Sequence, residues 1–151
     1  MALNDEVDLL KKIPLFAKIE PSKLKLLAFT SERLHFGPGE LLCRQGEPGS
    51  TAYIILDGEA DVLVDTPDGQ ISVAKLGKND LVGEMAILID IPRTATVQAI
   101  GDVATLAISK DLFFRMVTEF PQMGVEIMRE LAHRLENMNT QLREARSRQS
   151  A

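Results

Sequence analysis

The sequence contains one cysteine, two histidines and no long apolar run, and each shortage excludes a class of protein. A lone Cys43 cannot form an intramolecular disulfide, so a disulfide-stabilised scaffold is excluded and a reducing compartment is favoured. A metal-dependent barrel enzyme needs several His or carboxylate ligands that converge on one ion. Because His35 and His133 fall on different predicted elements, we expect no metal and no enzymatic activity.

Signals for membranes and secretion are also missing. No apolar run approaches the roughly 18 residues that a membrane-spanning helix requires. Polar residues at positions 4–6 and 8 interrupt the segment where the apolar core of a signal peptide would lie. We therefore expect a soluble, cytoplasmic protein that does not contact membranes.

An excess of positive charge is missing as well, because 22 acidic residues outnumber 17 basic ones and the net charge of the chain is −5. This value argues against a nucleic-acid surface, because DNA-binding proteins usually present a basic face. The 151 residues, 45% of them hydrophobic and 26% charged, suit one globular domain with its own core. We expect a single domain over residues 1–151, in which an anionic ligand would need a local positive site.

The local patterns predict a mainly β, α+β domain flanked by helices. Apolar residues at helical spacing predict helices at 3–12 and 21–29. Short apolar runs separated by Gly-containing turns, typical of a β-sandwich or barrel, predict strands at 34–36, 40–43, 52–56, 60–64, 71–76, 94–100 and 103–108. Ser109 is a candidate N-cap for a helix to about residue 119, and Pro121 suits the start of another to about residue 146.

Residues 83–92 have the composition of an anion-binding turn. Gly83 has no Cβ, so its backbone can come close to a ligand. Residues 84–88 are good helix formers, enough for about one turn whose free amide groups attract a negative charge. Pro92 ends this turn and fixes the backbone just before Arg93.

Arg93 supplies the positive charge that such a site needs. Its guanidinium is permanently charged, and its planar fork of donors matches phosphate. Thr94 adds a hydroxyl group, and Ala95 leaves room. Because Glu84 lies nine positions before Arg93, the pair suits a ligand that carries both a hydroxyl and a phosphate.

Residues 83–97 resemble the phosphate-binding cassette of cyclic nucleotide-binding domains, the family of the catabolite activator protein, kinase regulatory subunits and cyclic-nucleotide-gated channels. The pattern Gly-Glu-x-Ala, a short spacer and Pro-Arg-(Ser/Thr/Ala)-Ala-x-Val is filled at every position. The resemblance implies that Glu84 binds the ribose 2′-hydroxyl and that Arg93 pairs with the cyclic phosphate. It implies further ligand contacts from the rest of the cassette, at Gly83, Met85, Ala86, Thr94 and Ala95.

The resemblance extends over about residues 10–142 and implies the fold as well. The expected fold is a β-roll, or jelly roll, of about eight strands, with N-terminal helices, a short cassette helix and two C-terminal helices. The helical lead-in and the roll would occupy residues 10–109, and the C-terminal helices residues 109–146.

The last predicted helix carries an apolar seam with the a/d spacing of a coiled coil. Its residues are Met128, Leu131, Leu135, Met138, Leu142 and Ala145. The seam either packs on the β-roll or pairs with a second copy, which would give a homodimer. The string Leu-Ala-x-Arg-Leu at 131–135 is similar to the bacterial regulators of the family and implies ligand contacts for Arg134 and Asn139. The alternative for these two side chains is a solvated helix face.

The resemblance leaves the nucleotide open between cAMP and cGMP. Thr94 is compatible with both, and we expect cAMP because the chain resembles the small bacterial domains. Met138 stands where those regulators have a hydroxyl residue that touches the base, which weakens the case for adenine selectivity.

No helix-turn-helix pattern follows the last predicted helix. We therefore expect no direct DNA binding by this chain, and a signalling role through an unknown effector protein or an attached output domain. The alternative is a structural homodimerisation module with a non-functional pocket.

Overall fold

The computed structural model of the chain describes residues 7–8, 10–13, 16–17 and 19–150, without the side chains of Leu26, Met85 and residues 148–150. The contacts within the chain divide it into two compact units, Met1–Arg115 and Met116–Ala151. The first unit contains the strands and the cassette, and the second contains the last helix.

Two predicted helices precede the strands. Of the first, expected over residues 3–12, residues 7–8 and 10–11 are helical, and the remainder before residue 10 lies outside the described residues. The second helix, α1, spans Pro21–Thr30 and agrees with the prediction to within one residue. Proline suits this start because the first turn of a helix has amide groups without partners, and proline has no amide hydrogen to leave unpaired.

Eight strands in the described part of the chain form two antiparallel sheets. Their bounds are β1 Glu32–Phe36, β2 Leu41–Cys43, β3 Thr51–Asp57, β4 Ala60–Thr66, β5 Gly69–Leu76, β6 Leu81–Val82, β7 Thr96–Ala99 and β8 Val103–Ser109. The first sheet has the order β1-β8-β3-β6, and the second has the order β2-β7-β4-β5. The predicted β-roll of about eight strands is confirmed.

Most strand bounds shift by one or two residues from the prediction, and two differences lie next to the predicted cassette. The two-residue strand β6 has no predicted counterpart, because it is too short to show a periodic pattern; it forms by pairing with Tyr53 and Ile54 of β3. Strand β7 begins at Thr96 rather than at residue 94. The reason is that the backbone of Arg93 hydrogen-bonds to the segment between β2 and β3 instead of joining the β7 ladder.

The core of the first unit lies between the two sheets. Both sheets contribute to one buried apolar cluster, whose members are Leu42, Ile55, Ala60, Val82, Val97, Ala99 and Val103. Burial of each larger side chain stabilises the fold by about 1.5–3 kcal/mol. Because Val82 ends β6 and Val97 lies in β7, the core fixes both ends of the segment that contains the predicted cassette.

Three helices accompany or follow the roll in the described residues. The predicted single turn of the cassette is α2, Glu84–Leu88. Helix α3 spans Lys110–Glu119, and the predicted cap is confirmed, because the Ser109 hydroxyl accepts a hydrogen bond from the Leu112 amide at 3.2 Å. Helix α4 spans Pro121–Ser150 and so ends a few residues later than predicted.

One face of α4 is apolar and exposed. Four residues of the predicted seam are more than half exposed, namely Met128, Leu135, Met138 and Leu142, and the other two, Leu131 and Ala145, are half-buried. Ion pairs one helical turn or less apart, such as Arg129 with Glu126 at 3.1 Å, lie on α4 as well and stabilise a helix modestly. None of the helices in the described residues is long and apolar enough to cross a membrane.

Candidate functional site

The predicted cassette begins with a turn that only glycine adopts without strain. Gly83 has a φ of +83° between β6 and α2, a left-handed conformation that a Cβ disfavours. A Cβ at this position would also overlap the Nη1 atom of Arg93. The backbone of Gly83 therefore lies close to the Arg93 side chain, and its predicted approach to a ligand stays a prediction.

The Arg93 side chain is buried, with 8% of its surface exposed. Its Nη2 donates to the Thr51 carbonyl at 2.7 Å, and its Nη1 donates to the Gly83 carbonyl at 3.2 Å. Among the residues that the structure describes, no carboxylate forms an ion pair with Arg93. A buried charge without a counter-charge is costly, so this guanidinium provides a strong site for an anion.

The backbone of Arg93 is held as firmly as its side chain. Its amide donates to the Glu47 carbonyl at 2.9 Å, and its carbonyl accepts from the Gly46 amide at 2.9 Å. Both partners belong to residues 44–50, the segment between β2 and β3. These hydrogen bonds fix the position of the Arg93 backbone and therefore of the Cα atom that carries its side chain.

Glu84 is the first residue of α2 and is 3% exposed. A negative side chain is favourable in the first turn of a helix because it faces the positive end of the helix dipole. Ala86, on the same turn, is buried as well. Met85 belongs to α2, and its side chain lies outside the described part of the structure. The cassette thus places two buried charged residues, Glu84 and Arg93, in one short stretch of the first unit.

The last two predicted cassette contacts lie between Arg93 and β7. Thr94 is exposed and Ala95 is half-buried. The carbonyl of Ala95 accepts a weak hydrogen bond from the Cys43 thiol at 3.7 Å. The hydroxyl of Thr94 is therefore accessible from outside the roll.

A cavity of about 240 Å³ lies beside the Arg93 side chain in the first unit. Its lining comes mostly from β2, from β3 and from the segment between them: Leu42, Cys43, Arg44, Glu47, Pro48, Gly49, Ser50, Thr51, Tyr53 and Arg93. Burial raises the pKa of the Cys43 thiol, an effect that the nearby Arg93 charge opposes, and burial raises the pKa of Tyr53 in the same way. A raised thiol pKa makes Cys43 a poor nucleophile at neutral pH.

The predicted contacts from the last helix lie in the second unit. Arg134 donates to Glu130, one turn earlier on α4, at 3.2 Å, and about a third of each side chain is exposed. Asn139 is exposed. The structure brings Gly83, Glu84 and Arg93 together in the first unit, whereas ligand contacts from Arg134 and Asn139 stay predictions.

Two residues that border the Arg93 side chain have no place among the predicted site residues. Thr51 supplies a carbonyl acceptor, and a Cβ added to Gly49 would overlap Nε and Cζ of Arg93. The sequence Gly-Glu-Pro-Gly at 46–49 predicts only a turn. Gly49, the second glycine of this turn, could have indicated the contact with Arg93, because a glycine can mark a close approach of two segments as well as a turn.

Metal-binding groups are not apparent at this site or elsewhere in the described residues. No cluster of three or more His, Cys, Asp or Glu side chains is placed there to hold a metal ion. His35 and His133 are both exposed.

Residues 33–120 match the family described as "Cyclic nucleotide-binding domain". The match covers more than half of the chain, and the chain therefore belongs to the cyclic nucleotide-binding domain family. This membership confirms the resemblance found at residues 83–97.

Two relatives and one solved structure illustrate the similarity. The chain is 34% identical to a cAMP-dependent protein kinase regulatory subunit from Colletotrichum orbiculare, over 73% of this chain and 28% of the relative. It is 28% identical to a CRP-like cAMP-activated global transcriptional regulator from Mycobacterium tuberculosis, over 89% of this chain and 61% of the relative. The crystal structure of the Thermus thermophilus catabolite activator protein superimposes with a TM-score of 0.76 at 25% identity, over 85% of this chain and 61% of that one.

These proteins are longer than the matched region. The chain spans 28% of the kinase regulatory subunit and 61% of the transcriptional regulator. The similarity therefore concerns a domain that both proteins share, and not their whole activities.

Proposed function

We propose that the chain is a cyclic nucleotide sensor that binds cAMP in preference to cGMP and transmits the binding to a partner. The observation that carries the proposal is the Arg93 guanidinium, which is buried beside a cavity and, within the described part of the chain, hydrogen-bonds to backbone carbonyls without a paired carboxylate. A cyclic phosphate would supply the missing negative charge. Two guanidinium nitrogens, each with a second N–H group, can still donate to phosphate oxygens.

Glu84 supports a ligand that also carries a sugar hydroxyl. Its carboxylate is buried at the start of α2, in the same cassette as Arg93. In our proposal it accepts a hydrogen bond from the ribose 2′-hydroxyl, while Gly83, Met85 and Ala86 offer backbone amides to the phosphate. Thr94 adds its exposed hydroxyl, and Ala95 leaves space.

The preference for cAMP rests on the relatives. The kinase regulatory subunit is named as cAMP-dependent, and the transcriptional regulator as cAMP-activated. Thr94 is compatible with either nucleotide, so the base discrimination must come from other contacts. Arg134 and Asn139 are our candidates for contacts from α4 in the ligand-bound state.

Signalling would follow from a shift between two conformations with different affinities for the nucleotide. The apolar residues of the cassette suggest where the change starts, because Ile87 is buried whereas Leu88 and Ile89 are exposed. We propose that the bound phosphate orders the cassette, that these exposed side chains move inward, and that α4 closes over the base. The receiver would be an effector protein or an output domain, without direct DNA binding by the residues of this chain.

Two further properties belong to this proposal. We infer a regulatory rather than a catalytic role, because the named relatives are a kinase regulatory subunit and a transcriptional regulator. We also place the protein in the cytoplasm, because its single cysteine suits a reducing compartment.

A second candidate is favoured by the exposed seam of α4. Large apolar side chains grouped on one exposed face often mark an interaction surface, and a second copy of the chain could cover Met128, Leu135, Met138 and Leu142. The chain would then be a homodimer, either as part of the sensor or as a purely structural module with an unused pocket. Self-association that ignores nucleotide and persists in Arg93→Ala would favour the structural module.

Calorimetric titration of the purified chain with cAMP and with cGMP tests the sensor. We expect heat of binding for both and a lower Kd for cAMP. Arg44→Ala is the matched control for Arg93→Ala, because Arg44 lines the same cavity but its side chain is 65% exposed. Absence of heat and of a thermal shift at millimolar nucleotide would refute the proposal.

A further inference from the structure

Two glycines from distant parts of the sequence flank the Arg93 side chain. Gly49 lies between β2 and β3, and Gly83 lies between β6 and α2. A Cβ added to Gly49 would overlap Nε and Cζ of Arg93, and a Cβ added to Gly83 would overlap Nη1. The guanidinium therefore occupies a slot between two stretches of backbone that present no side chain toward it.

The two glycines are required for different reasons. Gly83 has a positive φ, so any side chain there is strained regardless of the space around it. Gly49 is not among the residues with positive φ. Its φ therefore does not require glycine, whereas the space that its missing side chain leaves for Arg93 does.

The segments that provide the space also orient the side chain. Thr51, two residues after Gly49, accepts the 2.7 Å hydrogen bond from Nη2, and Gly83 accepts the 3.2 Å bond from Nη1. Displacement of the guanidinium from the slot would break both hydrogen bonds. The two hydrogen bonds and the room at residues 49 and 83 together hold the charge in this position.

We propose that Gly49 is a positioning residue for Arg93, and that the missing side chain at this position sets the affinity of the chain for a ligand that carries a phosphate diester. The part of the inference that concerns the ligand rests on the proposed function. The slot itself does not, because it is a property of the ligand-free protein.

Gly49→Ala is the variant that tests the slot. The three atoms nearest to its Cβ all belong to the side chain of Arg93, so we expect the chain to fold and the guanidinium to move. Loss of alignment of a charged hydrogen bond weakens cAMP binding by about tenfold or more. Gly101→Ala is the control, because nothing lies within 4 Å of a Cβ there and its φ is not positive; its Kd should stay at the wild-type value.

A double-mutant cycle with Arg93→Ala separates positioning from general damage. With alanine at 93 the slot is empty, so Gly49→Ala should lower neither stability nor residual nucleotide affinity further. In the ligand-free protein, Gly49→Ala should lower Tm when arginine is present and should leave Tm nearly unchanged in the Arg93→Ala background. Equal losses of Tm in the two backgrounds would overturn the proposal.

The double-mutant cycle also gives a result if Gly49→Ala does not fold or if the wild-type chain does not bind cAMP. If Gly49→Ala alone does not fold, the double variant should fold, because the overlapping side chain is gone; failure of both would overturn the proposal. If the wild-type chain does not bind cAMP, the proposed function fails, whereas the ligand-free Tm cycle still decides the role of Gly49. The Arg93 Nε–H resonance gives a direct check, since it should shift in Gly49→Ala and stay in place in Gly101→Ala.

Discussion

Arg93 and Arg134 are both predicted to contact a nucleotide, and the structure places them in opposite surroundings. Arg93 is buried in the first unit and donates to two backbone carbonyls, with no carboxylate paired to it among the described residues. Arg134 is partly exposed on α4 in the second unit and forms an ion pair with Glu130. In the part of the chain that the structure describes, Arg93 therefore has no carboxylate as a counter-charge, whereas Arg134 has Glu130.

The difference in surroundings indicates which of the two arginines should contribute more to the binding of an anionic ligand. Carbonyl dipoles and a tight slot keep Arg93 in place but do not neutralise it, so an anion gains most of the Coulomb energy available in a buried site. Arg134 must give up a surface ion pair before it contacts a ligand, and such pairs contribute about 0–1 kcal/mol. A large electrostatic share of the binding energy is therefore expected from Arg93 and a small share from Arg134.

The largest expected effect comes from removing each arginine in turn. Arg93→Ala should weaken cAMP binding by about 2–5 kcal/mol, the range for truncating one partner of a buried charged pair. Arg134→Ala should weaken it by no more than about 1 kcal/mol. Calorimetric titration of both variants measures the contrast, and comparable losses for the two would show that the comparison is wrong.

A second variant separates charge from geometry at Arg93. Arg93→Lys keeps the positive charge but loses the planar fork that can bind phosphate while also donating to the carbonyls of Thr51 and Gly83. We expect cAMP binding to weaken by about 1.5–3 kcal/mol, as for the loss of a charge-assisted hydrogen bond. Full affinity in Arg93→Lys would mean that charge alone suffices and that the observed hydrogen-bond geometry is not needed.

The comparison also shows what the sequence could predict. The cassette was recognisable because its parts are local: Gly83, the turn of α2, Pro92 and Arg93 lie within a few residues of one another. The strands were predictable for the same reason, since alternating apolar runs and glycine-containing turns are short-range patterns. The predicted N-cap at Ser109 needed only the next three residues.

The surroundings of each arginine were not predictable, because they depend on distant contacts. Thr51 and Gly49 are distant from Arg93 in the sequence and contact it only when β2, β3 and β7 are assembled. No local sequence pattern predicts these contacts. Strand β6 is invisible for a similar reason, since its two residues are defined by pairing with β3. The seam of α4 was visible as a spacing, yet the spacing alone did not show that four of its members are exposed.

A smaller effect is expected from releasing Arg134. Glu130→Ala removes its ion-pair partner one turn earlier and should lower the stability of α4 by only about 0.3–0.5 kcal/mol. If the pair holds Arg134 back from the ligand, cAMP binding should become slightly tighter in this variant. Calorimetry together with thermal unfolding measures both quantities. Weaker binding in Glu130→Ala would instead assign the pair a role in orienting Arg134.

The smallest expected effect concerns the thiol that shares the cavity with Arg93. Burial raises the pKa of Cys43 against the opposing charge of Arg93. The unfolded chain therefore loses this proton at a lower pH than the folded chain does. Below the ordinary pKa of a thiol, about 8.5, the buried neutral thiol contributes its full share to the free energy of unfolding. That contribution is lost as the pH rises through the higher pKa of Cys43 in the folded protein. Tyr53 shifts in the same direction and acts at higher pH.

Cys43→Ala turns this shift into a test of the Arg93 charge. A thiolate formed beside Arg93 would be the internal anion that the guanidinium lacks, and it would compete with a phosphate. We expect the urea unfolding midpoint of the wild-type chain to begin to fall above about pH 8.5. Its cAMP affinity should fall only at the higher pH at which the folded thiol ionises, and both losses should be smaller in Cys43→Ala. Arg134 has Glu130 as its counter-charge, so Arg134→Ala should keep the wild-type pH profile. Identical profiles of cAMP affinity for the wild type and Cys43→Ala would mean that a thiolate at Cys43 does not offset the charge of Arg93, and the contrast between the two arginines would lose this electrostatic support.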